Sequence, residues 1–139
     1  MANVHICTDK NVLFSQAADL FVKLAYEAIA ARGRFCVALS GGSTPRGVHT
    51  LLASEGYRQT VAWQKVHGFL GDERCVPPIH DDRHYHMADE TLLSQVSIPQ
   101  ENVHRIKAEQ RDPAEAANRY EQTLRQAFAV NTEMWPHSI

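Results

Sequence analysis

Between residues 34 and 40 the chain reads Arg-Phe-Cys-Val-Ala-Leu-Ser, a compact apolar run rich in strand formers, followed at once by Gly41-Gly42-Ser43-Thr44-Pro45. No other stretch constrains the fold as much. A strand buried on both sides belongs to a parallel sheet between helices, and the flanking sequence supplies the helices. From about Lys10 to Ala31, apolar residues recur at helical spacing: Leu13, Ala17, Leu20, Leu24 and Ala28, with Phe14, Phe21 and Ala25 widening the stripe. Gly33 stands just past them, where a left-handed residue closes a helix. After the paired glycines, Thr44 as N-cap and Pro45 as first helical residue predict a second helix reaching about Ser54.

The alternation continues in both directions. Residues 3–7 (NVHIC) and 66–71 (VHGFLG) read as strands, 84–93 as a helix and 102–106 as a short strand. Pro113 opens a last helix with Ala117, Tyr120, Leu124 and Phe128 on one face. Residues 107–112 read as a connecting loop, and 129–139 carry no clear element. Strands alternating with helices predict an α/β domain with a mostly parallel sheet covered on both faces. At 139 residues the chain is the size of a single domain. A net charge of −2 gives no general attraction for nucleic acid, so an anionic ligand needs a local site. No apolar stretch approaches the roughly 18 residues that cross a bilayer, and no basic, then apolar, leader opens the chain; the cytoplasm is the expected compartment. Cys7, Cys36 and Cys75 form an odd set without a CxxC pair, which predicts neither a disulfide nor a zinc site. Nothing in the pattern bears on oligomeric state.

Two loops carry candidate chemistry. In a strand-loop-helix unit the loop lies at the carboxyl end of the strand, where open α/β sheets hold ligands. Gly41 and Gly42 allow a bound group close to the backbone, Ser43 and Thr44 add hydroxyls, and the helix start favours an anion such as phosphate. The same residues also suit a tight turn with an N-cap. The loop is neither a Walker loop nor a GxGxxG fingerprint, which points away from nucleotides. Residues 71–78 (GDERCVPP) close another predicted strand on the same sheet edge. There Arg74 can bind phosphate or stabilise developing oxyanion charge, and Asp72 can orient a water, a hydroxyl or a base. A solvated turn closed by Pro77 and Pro78 is the alternative.

His80, Asp81, Asp82, His84 and His86 invite a metal reading, but the prolines place the helix start after His80 and no HExxH spacing supports it; helix-start polarity is the default. His5, His67 and His104 fall in predicted strands as packing or edge residues, and Cys75 reads as an ordinary thiol.

Taken together, residues 39–52 (LSGGSTPRGVHTLL) and 69–93 (FLGDERCVPPIHDDRHYHMADETLL), continued by IPQENVHRI at 98–106, resemble the 6-phosphogluconolactonase family. The resemblance reaches about Phe128. It implies a Rossmann-like fold and hydrolysis of 6-phospho-D-glucono-1,5-lactone to 6-phosphogluconate in the oxidative pentose phosphate pathway, with no metal or organic cofactor. By the same resemblance, Gly41, Gly42, Ser43 and Thr44 belong to the sugar-phosphate site, and Asp72 and Arg74 match the acid and arginine of the active-site loop.

Two departures qualify it. Arg83 and His84 stand where the family pattern has serine and asparagine before the tyrosine. The 139 residues also hold no GxGxDGHxAS segment, the one expected to carry the general base. The resemblance therefore implies an N-terminal portion of the domain, incomplete at its C-terminal side, with little or no lactonase activity alone. Two other readings share the fold: an amino-sugar phosphate isomerase/deaminase, disfavoured by the GDERCVP loop, and a non-catalytic sugar-phosphate-binding domain, for which no DNA-binding helix pair is visible.

Overall fold

The computed structural model describes residues 2–109 and 112–128. The first helix, α1 (Lys10–Arg32), begins at Asp9, whose Oδ1 accepts the Val12 N–H at 2.9 Å. It ends at Gly33, left-handed at φ 77°, whose N–H returns to the Ile29 carbonyl. Strand β1 (Phe35–Leu39) leads into α2 (Ser43–Ala53) and a single turn α3 (Glu55–Arg58). Strand β2 (Val66–Leu70) precedes a long loop and α4 (His84–Ala88), which continues as a wider π-helical turn over Asp89–Leu93. A short β3 (Val103–His104) and α5 (Pro113–Phe128) complete the described chain.

The strands form one parallel sheet in the order β1-β2-β3, with Leu39 opposite Leu70 and Phe69 opposite His104. Each parallel step needs a crossover, and α2 through α3 provides the first. This is the α/β architecture expected from the sequence. Side chains alternate across the sheet. Phe35, Val37, Leu39, Val66 and Leu70 are buried on one face, where Phe21 of α1 meets Phe35 edge-on at 5.2 Å and Trp63 at 5.8 Å. On the opposite face Phe69 stacks on His104 at 4.3 Å and meets Phe128 of α5 at 5.2 Å. Tyr120 of α5 donates its hydroxyl to the Leu70 carbonyl at 2.6 Å, fixing the end of β2 just before its loop. Residue for residue, β1 is buried on one face and half-buried on the other, less enclosed than its composition implied.

Four local expectations are corrected. Residues 3–7 form no strand, and Val4 and Ile6 are 77% and 93% exposed. Alternation alone makes no strand without a neighbour to bond, and among the described residues this segment has none. In α1 the buried line is Ala18, Phe21, Ala25 and Ala28, while Leu13 and Leu20 stay exposed. Two apolar stripes run side by side, displaced by one residue, and Phe21 settles the choice by packing on Phe35 and Trp63. In α5 Ala116 rather than Ala117 is buried. Finally, α2 starts at Ser43, with Gly42 at φ 106° in the cap position and no side-chain cap, so Thr44 lies inside the first turn. Only glycine takes that backbone angle without strain.

Cys7, Cys36 and Cys75 are free thiols. Among the described residues no helix is long and apolar enough to cross a membrane, and no group of three or more His, Cys, Asp and Glu side chains is disposed to hold a metal ion. Residues 129–139, read as lacking an element, lie outside the described residues.

Candidate functional site

Because β1 and β2 run parallel, their carboxyl ends deliver the glycine loop and the GDERCVPP loop to one edge of the sheet. The Gly71 N–H binds the Leu39 carbonyl at 3.0 Å, joining the two loops where they leave it. Between them and α4 opens a cleft of about 660 Å³, lined by Gly42, Ser43, Arg46, Arg74, Arg83 and His84 among others. No side chain caps the start of α2, so its leading N–H groups stay available to a ligand. Arg74 forms no ion pair among the described residues, and Arg46 reaches only Glu90, at an exposed 3.8 Å. Such a loose surface pair contributes little and leaves the guanidinium free to bind an anion.

Of the residues named from sequence, Gly42, Ser43 and Arg74 line this cleft together. Gly41 lies beneath the His84 ring: a β-carbon on it would fall 2.0 Å from His84 Cδ2. Asp72 does not line the cleft; its side chain is 69% exposed, with Oδ1 3.1 Å from Nδ1 of His84, which does. Thr44 points elsewhere, into a smaller apolar pocket shared with Pro45, Val48 and His49. His49 is buried there, and burial pushes its imidazole down from the ordinary 6.5 to about 4.

The GDERCVPP loop is not a free solvated turn, because its glutamate is a buried anchor. Glu73 accepts the main-chain N–H groups of Arg74 at 2.9 Å, His84 at 2.7 Å and Tyr85 at 3.0 Å. Its counter-charge is Arg83, fully buried, with Nε 3.0 Å from Glu73 Oε2 in an ion pair too oblique for an aligned hydrogen bond. The rest of the Arg83 fork donates to the carbonyls of Val76 at 2.6 Å and Ile106 at 3.1 Å and to Glu109 Oε2 at 2.6 Å. One guanidinium thus binds the loop, the start of α4 and the segment after β3. Partial burial alone would raise the Glu109 carboxyl, but its own backbone N–H and the donors of Arg83 and Arg105 outweigh that and carry it down to about 2.

The members of the histidine and aspartate cluster diverge. His80 turns toward Asp82 at 3.8 Å, while His84 turns to Asp72. His67 and His104 stack on the sheet face at 5.9 Å, and burial lowers the pKa of both. Sequence reasoning did not single out Arg46 or Glu109. Arg46 had a signal, a cation in the first turn after the glycine pair. Glu109 had none, since it lies 26 residues from the arginine it binds.

Residues 8–137 match the model of the Glucosamine-6-phosphate isomerases/6-phosphogluconolactonase family. The chain belongs to this family. A 6-phosphogluconolactonase of a Nostoc species is 39% identical over 125 residues, covering 90% of this chain and 50% of the relative. A 6-phosphogluconolactonase of a Synechocystis species is 37% identical, covering 96% and 54%. The crystal structure of 6-phosphogluconolactonase from Thermotoga maritima superposes with a TM-score of 0.78 at 27% identity, covering 90% of this chain and 53% of that one. The chain spans about half the length of these relatives. Family membership is what the two loops pointed to; Arg83 is a buried clamp and His84 a ring in the wall of the cleft.

Proposed function

We propose that this chain supplies the sugar-phosphate-holding portion, residues 1–139 as a single α/β unit, of a 6-phosphogluconolactonase, an enzyme hydrolysing 6-phospho-D-glucono-1,5-lactone to 6-phosphogluconate. The observation that carries the reading is the junction of the glycine loop with Arg74 in one cleft at the carboxyl edge of a parallel sheet. Gly42 and Ser43, with the main chain of Gly41 and Thr44, hold the 6-phosphate at the uncapped start of α2. Arg46 and Arg74 neutralise it, and Arg74 can also counter charge growing on the lactone carbonyl oxygen. Asp72 acts beside it through the group it orients. No metal or organic cofactor enters this scheme. The 139 residues contain no GxGxDGHxAS segment, so the chain alone is expected to bind 6-phosphogluconate but to hydrolyse the lactone slowly.

The test measures 6-phosphogluconate binding and lactone hydrolysis by this chain and by a version extended through the following coding sequence. Binding by both, with hydrolysis confined to the extended form, supports the reading. Arg74→Ala should weaken binding by about tenfold or more, the loss of one charge-assisted contact. Deamination of an amino-sugar phosphate without lactone hydrolysis supports the isomerase branch instead. Sugar-phosphate binding with neither reaction in the extended form supports a non-catalytic binding domain.

A further inference from the structure

Among the described histidines, His84 alone joins a carboxylate on one side and the glycine loop on the other. Its Nδ1 lies 3.1 Å from the Asp72 carbonyl oxygen and 3.1 Å from Asp72 Oδ1. Both neighbours are acceptors, so Nδ1 carries the hydrogen, and in the neutral ring Nε2 is a bare lone pair. The Cδ2–Nε2 edge faces the loop: a β-carbon on Gly41 would lie 2.0 Å from Cδ2 and 2.4 Å from Nε2. The side chain is 14% exposed, and the ring contributes to the wall of the cleft that Gly42, Ser43 and Arg74 share. Its main chain is pinned by Glu73, whose charge Arg83 already meets, so the ring is held from both ends.

Resting on the sugar-phosphate reading above, we propose that His84 is a proton site linked to anion binding. When a phosphate dianion enters the glycine loop, Nε2 takes a proton from solvent and donates it as a hydrogen bond to a phosphate oxygen, and Asp72 balances the imidazolium. No bond to phosphorus forms or breaks. The charged groups around the ring fit this role. Arg46 on α2 and Arg74 draw the anion in, Asp72 lies against the ring, and Asp81 and Asp82 line the same cleft; Arg83 is neutralised by Glu73 and Glu109. An asparagine at this position could donate to the same phosphate but could not exchange a proton, so on this proposal the residue sets how affinity responds to pH.

Calorimetric titration of the 139-residue chain with 6-phosphogluconate, in buffers of different ionisation enthalpy, reads proton uptake directly. The wild type should take up a proton on binding, with affinity rising by up to about tenfold per pH unit lowered from 8 to 7. His84→Asn should still bind but lose that uptake and slope; the ligand's own ionisation is common to both proteins and cancels in the comparison. Equal uptake in both overturns the role of His84 while leaving the sugar-phosphate site intact. Absence of binding by the folded wild type overturns the sugar-phosphate reading itself, and the inference with it. Should His84→Asn not fold, ¹⁵N NMR of the wild-type imidazole decides independently: the Nδ1-protonated tautomer supports the proposal, and the Nε2-protonated tautomer overturns it.

Discussion

Replacing Arg83 with methionine tests how much of the site is held by one buried cation. Methionine can follow the aliphatic stem of the arginine, but it carries none of its donors. The substitution strips the hydrogen bonds to Val76 and Ile106, the 2.6 Å contact to Glu109 and the 3.0 Å pair with Glu73. Glu109 is 27% exposed and keeps Arg105, so its loss is partial. Glu73 has a side chain only 1% exposed and is left as a buried charge with no counter-ion, although three main-chain N–H groups still point at it. Removing one partner of a buried pair costs about 3–5 kcal/mol, and the surviving N–H groups favour the lower end. Against a total stability of about 5–15 kcal/mol, urea unfolding followed by circular dichroism should show a clearly lowered midpoint. Arg83→Lys keeps the charge but not the fork, and should recover less than half of the loss. Adding Glu73→Gln to Arg83→Met removes the stranded charge and should return about 1 kcal/mol or more. The reasoning is refuted if Arg83→Met loses less than about 1 kcal/mol, or if the double variant is no more stable than Arg83→Met alone.

Gly41→Ala places a β-carbon 2.0 Å from His84 Cδ2, so the ring must leave Asp72; 6-phosphogluconate affinity should fall about tenfold, read by calorimetry, with the His84 imidazole signals shifting in the free protein. His49, lowered from 6.5 to about 4 and without a partner for Nδ1, gives an acid limb of known sign. The unfolded chain binds the proton first, so stability should fall as the pH drops below about 6.5, by about 3 kcal/mol at pH 4, and His49→Phe should flatten that limb in urea melts. Glu109 has the carboxylate sign: its contribution is present above the ordinary carboxylate range and is lost as the pH falls toward about 2, so Glu109→Gln should be destabilised at neutral pH and lose less on acidification below pH 4.5.

What was legible in this sequence is what depends on neighbours a few residues apart. The helix of residues 10–32, the glycine turn after β1 and the loop after β2 follow from local periodicity, glycine and proline, and the parallel order follows from strand-helix alternation. What was not legible depends on partners far along the chain. Val4 and Ile6 alternate like a strand, but alternation says nothing about whether a sheet edge is there to receive them. Leu13 and Phe14 begin two equally apolar stripes, and only the position of Phe35 and Trp63 selects the second. The same limit explains positions 83 and 84. In sequence an arginine and a histidine after two aspartates read as the polar start of a helix, and helix polarity is what a local rule assigns them. Their partners decide otherwise, because Glu73 and Glu109 arrive from opposite sides to enclose Arg83, and Asp72 reaches across the loop to hold His84. Arg83 fixes the loop that presents Arg74, and His84 lies on the glycine turn proposed above to hold the phosphate. The clamp acts on stability and the ring on proton-linked affinity, so Arg83→Met and His84→Asn should separate: the first should move the urea midpoint with little change in the pH slope of binding, the second the reverse.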